Sequence, residues 1–497
     1  MDVENERRNT RAPELYREHY RPQFHFSAPR NWLNDPNGLV WCNGLFHLFY
    51  QHNPTGNEWG NMHWGHAVSK DLVHWDVRPL ALHADPLGVG YIFSGSIVVD
   101  HKNSSGLGRN GRAPMVALYT SCDTLGVQTQ SLAFSLDEGE TWEQYRGNPV
   151  IENAGVRDSR DPKVFWHEPT QAWVMSLAVY DHVEFHQSTN LVQWKLLSEF
   201  RNEHDPNNGV YECPDLFPLR TDGGEERWVL IVSLGPAQVP RRESIKYYVG
   251  DFDGTRFSTR QKTDLWLDHG ADCYGAVTWW GVPESDGRCL LIGWMNNWRY
   301  ANALPTYPWR GNMTVPRTLH LVEGRAGPEL RAMPVKELAS LRRQTVTIDP
   351  HPVESAAVRS AFAGLPADLL DLDLVFSWKA DGAGVFGLRF LNSTGEAATV
   401  LVDLQRHELS VDRTNVGQRI PNPKFAEKFV APLRRLDGRV ALRIVKDRTS
   451  VEVFGDDGRA VISANLFFDE PFTGVVAVGR GDVSIQGNVS ILQSVWN

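Results

Sequence analysis

Cysteine is scarce in this chain: Cys42, Cys122, Cys213, Cys273 and Cys289 are scattered over 497 residues, odd in number and without a Cys-x-x-Cys pair. Neither a disulfide framework nor a zinc site is expected from that pattern. Long apolar runs are missing too, and none approaches the roughly 18 residues of a membrane span, so a soluble protein is expected. Positive charge is outweighed, with 50 Lys and Arg against 60 Asp and Glu, a formal net charge of −10 and a pI near 5.9. Without a basic patch for phosphate contacts, nucleic acid and anionic membranes are not expected partners. The first twenty residues, MDVENERRNTRAPELYREHY, lack the apolar stretch of a secretory signal. As written, the chain reads as cytoplasmic, with secretion open if a signal has been removed.

What is present points to a large β protein. A single core usually stops growing near 250 to 300 residues, so 497 residues imply two domains. Apolar residues make up 41% of the chain and there are 18 tryptophans. Tryptophan fills β cores, and its flat face also covers the C–H face of a sugar ring. The first two-thirds reads as short β runs separated by Gly, Pro, Asn and Asp, the pattern of a sandwich, barrel or propeller.

A repeat decides among these. An apolar run entered from a polar turn occurs five times: DPNGLVW from Asp35, SGSIVV from Ser94, DPKVFW from Asp161, ECPDLF from Glu212 and DCYGAVTW from Asp272. Measured at Asp35, Gly95, Asp161, Cys213 and Tyr274, the spacings are 60, 66, 52 and 61 residues. A second marker, a polar turn closed by an aromatic residue, keeps the same time at Trp75, Trp142, Trp194 and Phe257. Two markers in phase at this period predict one four-stranded blade per repeat, five blades filling about residues 20–330. Innermost strands line the channel of a propeller, so Asp35, Ser94, Asp161, Glu212 and Asp272 are expected to meet at one mouth.

After Gly327 the texture changes. Val335, Leu338 and Leu341 sit at helical spacing behind Pro334, and a linking helix is expected over 331–345. From 346 to 497 a β-sandwich is expected. Leu370, Leu372, Leu374, Phe376 and Trp378 alternate with polar residues as a half-buried strand, and Val451–Ser463 reads as a hairpin turning at Asp457-Gly458. Because this part holds no cluster of carboxylates, histidines or cysteines, its expected role is structural. The fold class is thus all-β, a five-bladed propeller followed by a sandwich.

Asp-Pro-Asn-Gly at 35–38 and Arg160-Asp161-Pro162 are ordinary turn sequences when taken alone. Their phase changes the reading. Asp35, Asp161 and Glu212 occupy equivalent positions in three repeats, and three acids facing one channel repel each other, which a catalytic site tolerates and a purely structural one has little reason to. Weaker signals fall away. GLGRNG at 106–111 fits G-x-G-x-x-G, but Pro114 and a β run follow it where a helix should begin. His63 and His66 lack a supporting carboxylate motif for a metal. Sequons at Asn103, Asn312, Asn392 and Asn488 matter only in a secreted protein.

The motifs NWLNDPNG (31–38), FSGS (93–96), RDP (160–162), ECPDLF (212–217) and GWMNNWRYANALPTYPWRGNMTVPR (293–317) together resemble glycoside hydrolase family 32, the invertases, levanases and exo-inulinases. DRTSVEVFGDDG (447–458) is similar to that family's C-terminal sandwich, so the resemblance spans essentially the whole chain. It implies Asp35 as nucleophile, Glu212 as general acid/base and Asp161 as a stabiliser of the fructosyl ring, assisted by a neighbouring Arg160. Asn34, Gln51, Trp59, Ser94, Arg160, Trp294 and Trp298 are implied as sugar-pocket residues. The implied reaction is retaining hydrolysis at β-fructosyl ends of sucrose, fructo-oligosaccharide or fructan, with no cofactor and no metal. Leu33, Tyr211 and Cys273 depart from the residues many members carry, which bears on the pocket lining and substrate preference. Three other readings stay open: transfructosylation by the same residues, an inverting five-bladed arabinofuranosidase or β-xylosidase, and a sugar-binding propeller without catalysis.

Overall fold

The computed structural model describes residues 15–496, apart from 86, 203–208, 236–242, 325–326, 366–367, 380–383, 418–419 and 434–436. The charged N-terminus up to residue 14 lies outside the described residues.

Five antiparallel sheets follow one another along residues 31–334. Each begins with the strand carrying the repeat's apolar run: Asn31–Cys42, Tyr91–Val99, Ser159–His167, Tyr211–Arg220 and Tyr274–Thr278. These five strands neighbour one another in a closed cycle, blade one next to two and blade five next to one, so they form the inner ring. Buried on almost every side, they read as continuous apolar runs and not as alternation. The short strand Trp309–Arg310, carried by a long excursion of blade five, pairs in parallel with Asn31–Trp32 and links the last blade to the first.

The second marker is the turn between the third and fourth strands of a blade. In the first three blades, a Ser hydroxyl accepts from the backbone N–H of the Asp or Asn two residues on (Ser69 and Asp71, Ser135 and Asp137, Ser188 and Asn190). The closing indole then donates to a carbonyl three residues back: Trp75 to Leu72, Trp142 to Gly139 and Trp194 to Leu191. This chemistry needs a small hydroxyl, an acid or amide and an aromatic N–H in order, which is why the turn is visible in the sequence. In blade four Asp253 makes the same kind of turn, and Phe257 closes it by packing alone.

The segment 331–345 is divided among three elements. Gly327–Pro334 is the last strand of blade five, Lys336–Leu341 is a 3-10 helix, and Arg342–Pro352 opens the sandwich. Val335, Leu338 and Leu341 are all buried. Their spacing of three matches the three-residue turn of a 3-10 helix and puts all three on one side. The sandwich consists of a six-stranded and a five-stranded sheet. Leu370, Leu372, Leu374 and Phe376 of one sheet face Phe386, Leu388, Phe390, Val400 and Val402 of the other. Val451–Ser463 is a hairpin, with Asp457 and Gly458 both at positive φ.

Propeller and sandwich share a continuous apolar interface in which Leu319, Leu330 and Ala332 of blade five meet Val445, Phe454 and Val461. Fully buried charges cross it. Arg317 donates to Asp268 (3.0 Å) and to Glu452 (2.6 Å), while His25 bridges Asp447 (2.7 Å) and Glu452 (2.9 Å). Burial alone would lower the His25 pKa, yet its two acids raise it to about 9.

Candidate active site

All five inner strands break register near one end, at Leu33/Pro36, Ile92/Gly95, Arg160/Lys163, Glu212/Asp215 and Tyr274/Val277. A bulge bends the strand and re-aims a side chain. Asp161 (φ 65°), Cys213 (φ 48°) and Gly275 (φ 59°) adopt left-handed backbone at these breaks. The bulges turn Asp35, Ser94, Asp161, Glu212 and Tyr274 toward one another at one mouth of the channel.

Asp35 Oδ2 accepts from Ser94 Oγ at 2.8 Å, and Asp35 Oδ1 is buried without a donor at bonding distance among the described residues. Asp161 Oδ2 accepts from the Cys213 backbone N–H at 2.9 Å, and its own N–H donates to Thr120 Oγ1 at 3.0 Å. The Cys213 thiol lies 3.8 Å from Asp35 Oδ2 and 3.6 Å from Asp161 Oδ2, so the residue after Glu212 sits between the two aspartates. Glu212 Oε1 accepts from Arg160 Nη2 at 2.7 Å, and its Oε2 accepts from the Tyr274 hydroxyl.

Three sequence-based placements are corrected here. Arg160 spends its fork on Glu212 and on Asp158 (2.5 Å), not on Asp161. Successive residues of a strand point to opposite sides, and Asp161 is further re-aimed by its bulge. Asp272 does not join the mouth; its carboxylate is buried against the sandwich, accepting from Arg413 (2.7 Å), Tyr300 (2.5 Å) and Asn297 (3.1 Å). Tyr274 takes its place, as the spacing of 61 residues to Tyr274 signalled. Trp294 has no exposed surface in this structure, and neither has Trp32; Trp294 packs against Trp32 and Trp298, with ring centroids 5.7 and 4.9 Å away, and against Tyr274 at 6.5 Å.

The other implied pocket residues gather around the acids. Asn34 is buried and accepts from Trp32 Nε1 at 2.7 Å, and Gln51 donates to the Ile92 carbonyl at 3.0 Å beside Ser94. Trp59 is 48% exposed, edge-on to Phe93 and to Trp298. Trp32, Trp298 and Trp59 thus form a wall running from the buried acids to solvent. His63 and His66 serve packing: His63 accepts from Ala84 N, and His66 stacks on Phe49 and hydrogen-bonds His47 at 3.0 Å.

Gly275 is a site residue that the sequence reading passed over. A Cβ there would stand 2.7 Å from Asp35 Oδ1, at a φ that disfavours any other residue. Gly275→Ala is therefore expected to displace the Asp35 carboxylate and cost about a hundredfold in kcat, the scale of a misplacement near 1 Å. Steady-state kinetics together with an unchanged far-UV circular dichroism spectrum would check this.

Burial, reinforced by Asp161 and Glu212, pushes the Asp35 carboxyl up to about 7, against the hydrogen bond from Ser94. Burial likewise raises Asp161, to about 6, with Arg160 opposing and Glu212 adding to the rise. Between roughly pH 4 and pH 7 the folded protein therefore holds protons at these acids that the unfolded chain has released. The contribution of these two acids to stability falls as pH rises through that window. Asp35→Asn removes this liability. Its melting temperature should match wild type near pH 4 and exceed it by several degrees at pH 8, with about 4 kcal/mol as the upper bound on the gain. Thermal melts across pH test the sign: a gain at pH 4 that vanishes at pH 8 would contradict the electrostatic origin.

Residues 25–334 match the model of the glycosyl hydrolases family 32 N-terminal domain, and residues 337–494 match that of the family 32 C terminal domain. The chain belongs to glycoside hydrolase family 32. This family 32 chain is 43% identical over 493 residues to a levanase of Bacillus subtilis, covering 97% of itself and 72% of that protein. A crystal structure of an exo-inulinase from Aspergillus awamori superimposes with a TM-score of 0.87 at 34% identity, covering 97% of this chain and 100% of the other. A β-fructofuranosidase from Schwanniomyces occidentalis, solved with fructosyl-erythritol, gives a TM-score of 0.86 at 28% identity, with 97% and 99% covered. The family 32 chain is a glycoside hydrolase on a propeller and sandwich frame. Among the described residues no helix is long and apolar enough to cross a membrane.

Proposed function

We propose that this enzyme releases terminal β-fructosyl units from fructans, fructo-oligosaccharides or sucrose by double displacement. The observation that carries the reading is the meeting of two buried aspartates and a part-buried glutamate, each with different partners, beside an aromatic cluster. Asp35 is the nucleophile: among the described residues no donor reaches its Oδ1, while Ser94 holds Oδ2 and fixes the carboxylate plane. Attack on the anomeric carbon gives a covalent fructosyl ester as the leaving oxygen takes a proton from Glu212. Water then attacks that ester as Glu212 takes a proton back. The cationic Arg160 and the buried Tyr274 hydroxyl grip the two oxygens of Glu212 and set its orientation. Asp161, held by the Cys213 N–H, faces the ring and gains strength as positive charge develops there.

An assay panel of sucrose, 1-kestose, inulin and levan tests the substrate class, and fructose release from none of them would end the proposal. The inverting alternative is separated by NMR of the first product, since double displacement delivers β-fructose before mutarotation. Acids sunk at the foot of a walled pocket also favour attack at chain ends. Early chromatograms of an inulin digest should show fructose almost alone, whereas a ladder of short oligomers at low conversion would indicate an open cleft.

A further inference from the structure

The segment 294–300 carries Trp294 and Trp298, and sandwich residues tie down much of its backbone. Asn465 Nδ2 donates to the Met295 carbonyl at 2.9 Å, and Asn422 Nδ2 to the Arg299 carbonyl at 2.9 Å. Arg299 pairs with Glu427 at 2.9 Å. Tyr300 is clamped by Arg413, whose Nη2 donates to the Tyr300 hydroxyl and whose Nη1 donates to Asp272, both at 2.7 Å. Phe425, Phe467 and Ile420 pack around Tyr300 and Leu304. Propeller residues restrain the segment as well, among them the Asn312 carbonyl on Met295 N and the Glu243 carboxylate on Trp298 N, each at 2.8 Å, and Asp272 on Asn297 and Tyr300. Trp298 is the member of this segment that reaches the pocket, near-parallel to Trp32 at 6.1 Å and edge-on to Trp59 at 6.4 Å.

We propose that Asn465, Asn422 and Arg413 make the sandwich a positioning element for the pocket, holding the Trp298 face where the substrate part beyond the scissile bond packs. This rests on the reading of the pocket as the fructosyl site. The sandwich residues touch no reacting group, so they act through the placement of Trp298. Asn422 and Asn465 provide the cleaner handles because their side-chain amides hold backbone carbonyls, leaving the Arg413–Asp272 pair and the strand of Tyr274 intact.

The test is a cycle of Asn422→Ala/Asn465→Ala with Trp298→Ala. In the wild-type background the double substitution should raise KM for 1-kestose about five- to tenfold, the scale of a net hydrogen bond or two, with kcat within about twofold. In the Trp298→Ala background it should add little further, because the positioned ring is gone. Hydrogen–deuterium exchange should quicken in peptides covering 294–304 and stay unchanged in the inner strands, a readout that does not depend on catalysis. If the double variant fails to fold, Asn422→Ala alone carries the same measurements. An unchanged KM with only a lowered melting temperature, additive KM effects in the cycle, or unaltered exchange over 294–304 would each overturn the proposal. A wild-type enzyme that cleaves no fructoside would instead refute the functional reading, and the exchange experiment would still decide the positioning.

Discussion

Asp35→Asn is expected to lower kcat by about four orders of magnitude or more on sucrose or a fructan end, with a native circular dichroism spectrum and cooperative melting. An amide of the same shape keeps the Ser94 contact but cannot form the fructosyl ester, so a step made only in the transition state is lost. Because the substitution also removes a carboxylate that burial, and then the nearby Asp161 and Glu212, make costly to ionise, the inactive protein should be the more stable one at neutral pH. Loss of activity with a gain in stability is a combination that misfolding does not produce. Retention of more than about a tenth of wild-type turnover would reject Asp35 as the nucleophile.

The second large effect separates Glu212 from Asp161. General acid help is worth about 10² to 10⁴ in rate and matters most when the leaving group is poor. Glu212→Ala should therefore cripple cleavage of sucrose while sparing the glycosylation step of a β-fructoside with an activated leaving group. Azide, a nucleophile that needs no general base, should then speed turnover of that substrate by Glu212→Ala. Asp161→Ala should lose comparable activity on both substrates and show no azide response, since the contact proposed for Asp161 is to the ring. Equal losses across leaving groups in both variants, with neither rescued, would mean that the two roles are wrongly divided. Arg160→Lys gives a finer reading of the same site. Its single point charge cannot span Asp158 and Glu212 together, so its loss should resemble a weakened Glu212 variant more than an Asp161 variant.

Much of the site was legible because the fold is periodic. A repeat near 60 residues puts equivalent positions of five inner strands at one mouth, so Asp35, Ser94, Asp161 and Glu212 could be grouped although they are far apart in sequence. The fifth position was misjudged by two residues. Asp272 is the acid nearest the repeat's start and so drew the assignment, but an acid is also what a buried arginine of another domain requires. The register, counted to Tyr274, held the better information. Gly275 was hidden for a related reason: a glycine in a β run signals a close approach or a bulge, without saying to what.

The sequence by itself determined the blades, the Asx turns that punctuate them, the alternating strands of the sandwich and the acids that share a phase. Those features follow from local chemistry and from periodicity, which survive in one dimension. Only the tertiary structure decided who pairs with whom. It gave Arg160 to Glu212 and Asp158, turned Asp272 to Arg413 at a separation of 141 residues, covered Trp294 and placed sandwich side chains on the backbone beneath Trp298. It also set the proton affinities of Asp35 and Asp161, because burial and the distance between charges exist only once the five strands have closed into a ring.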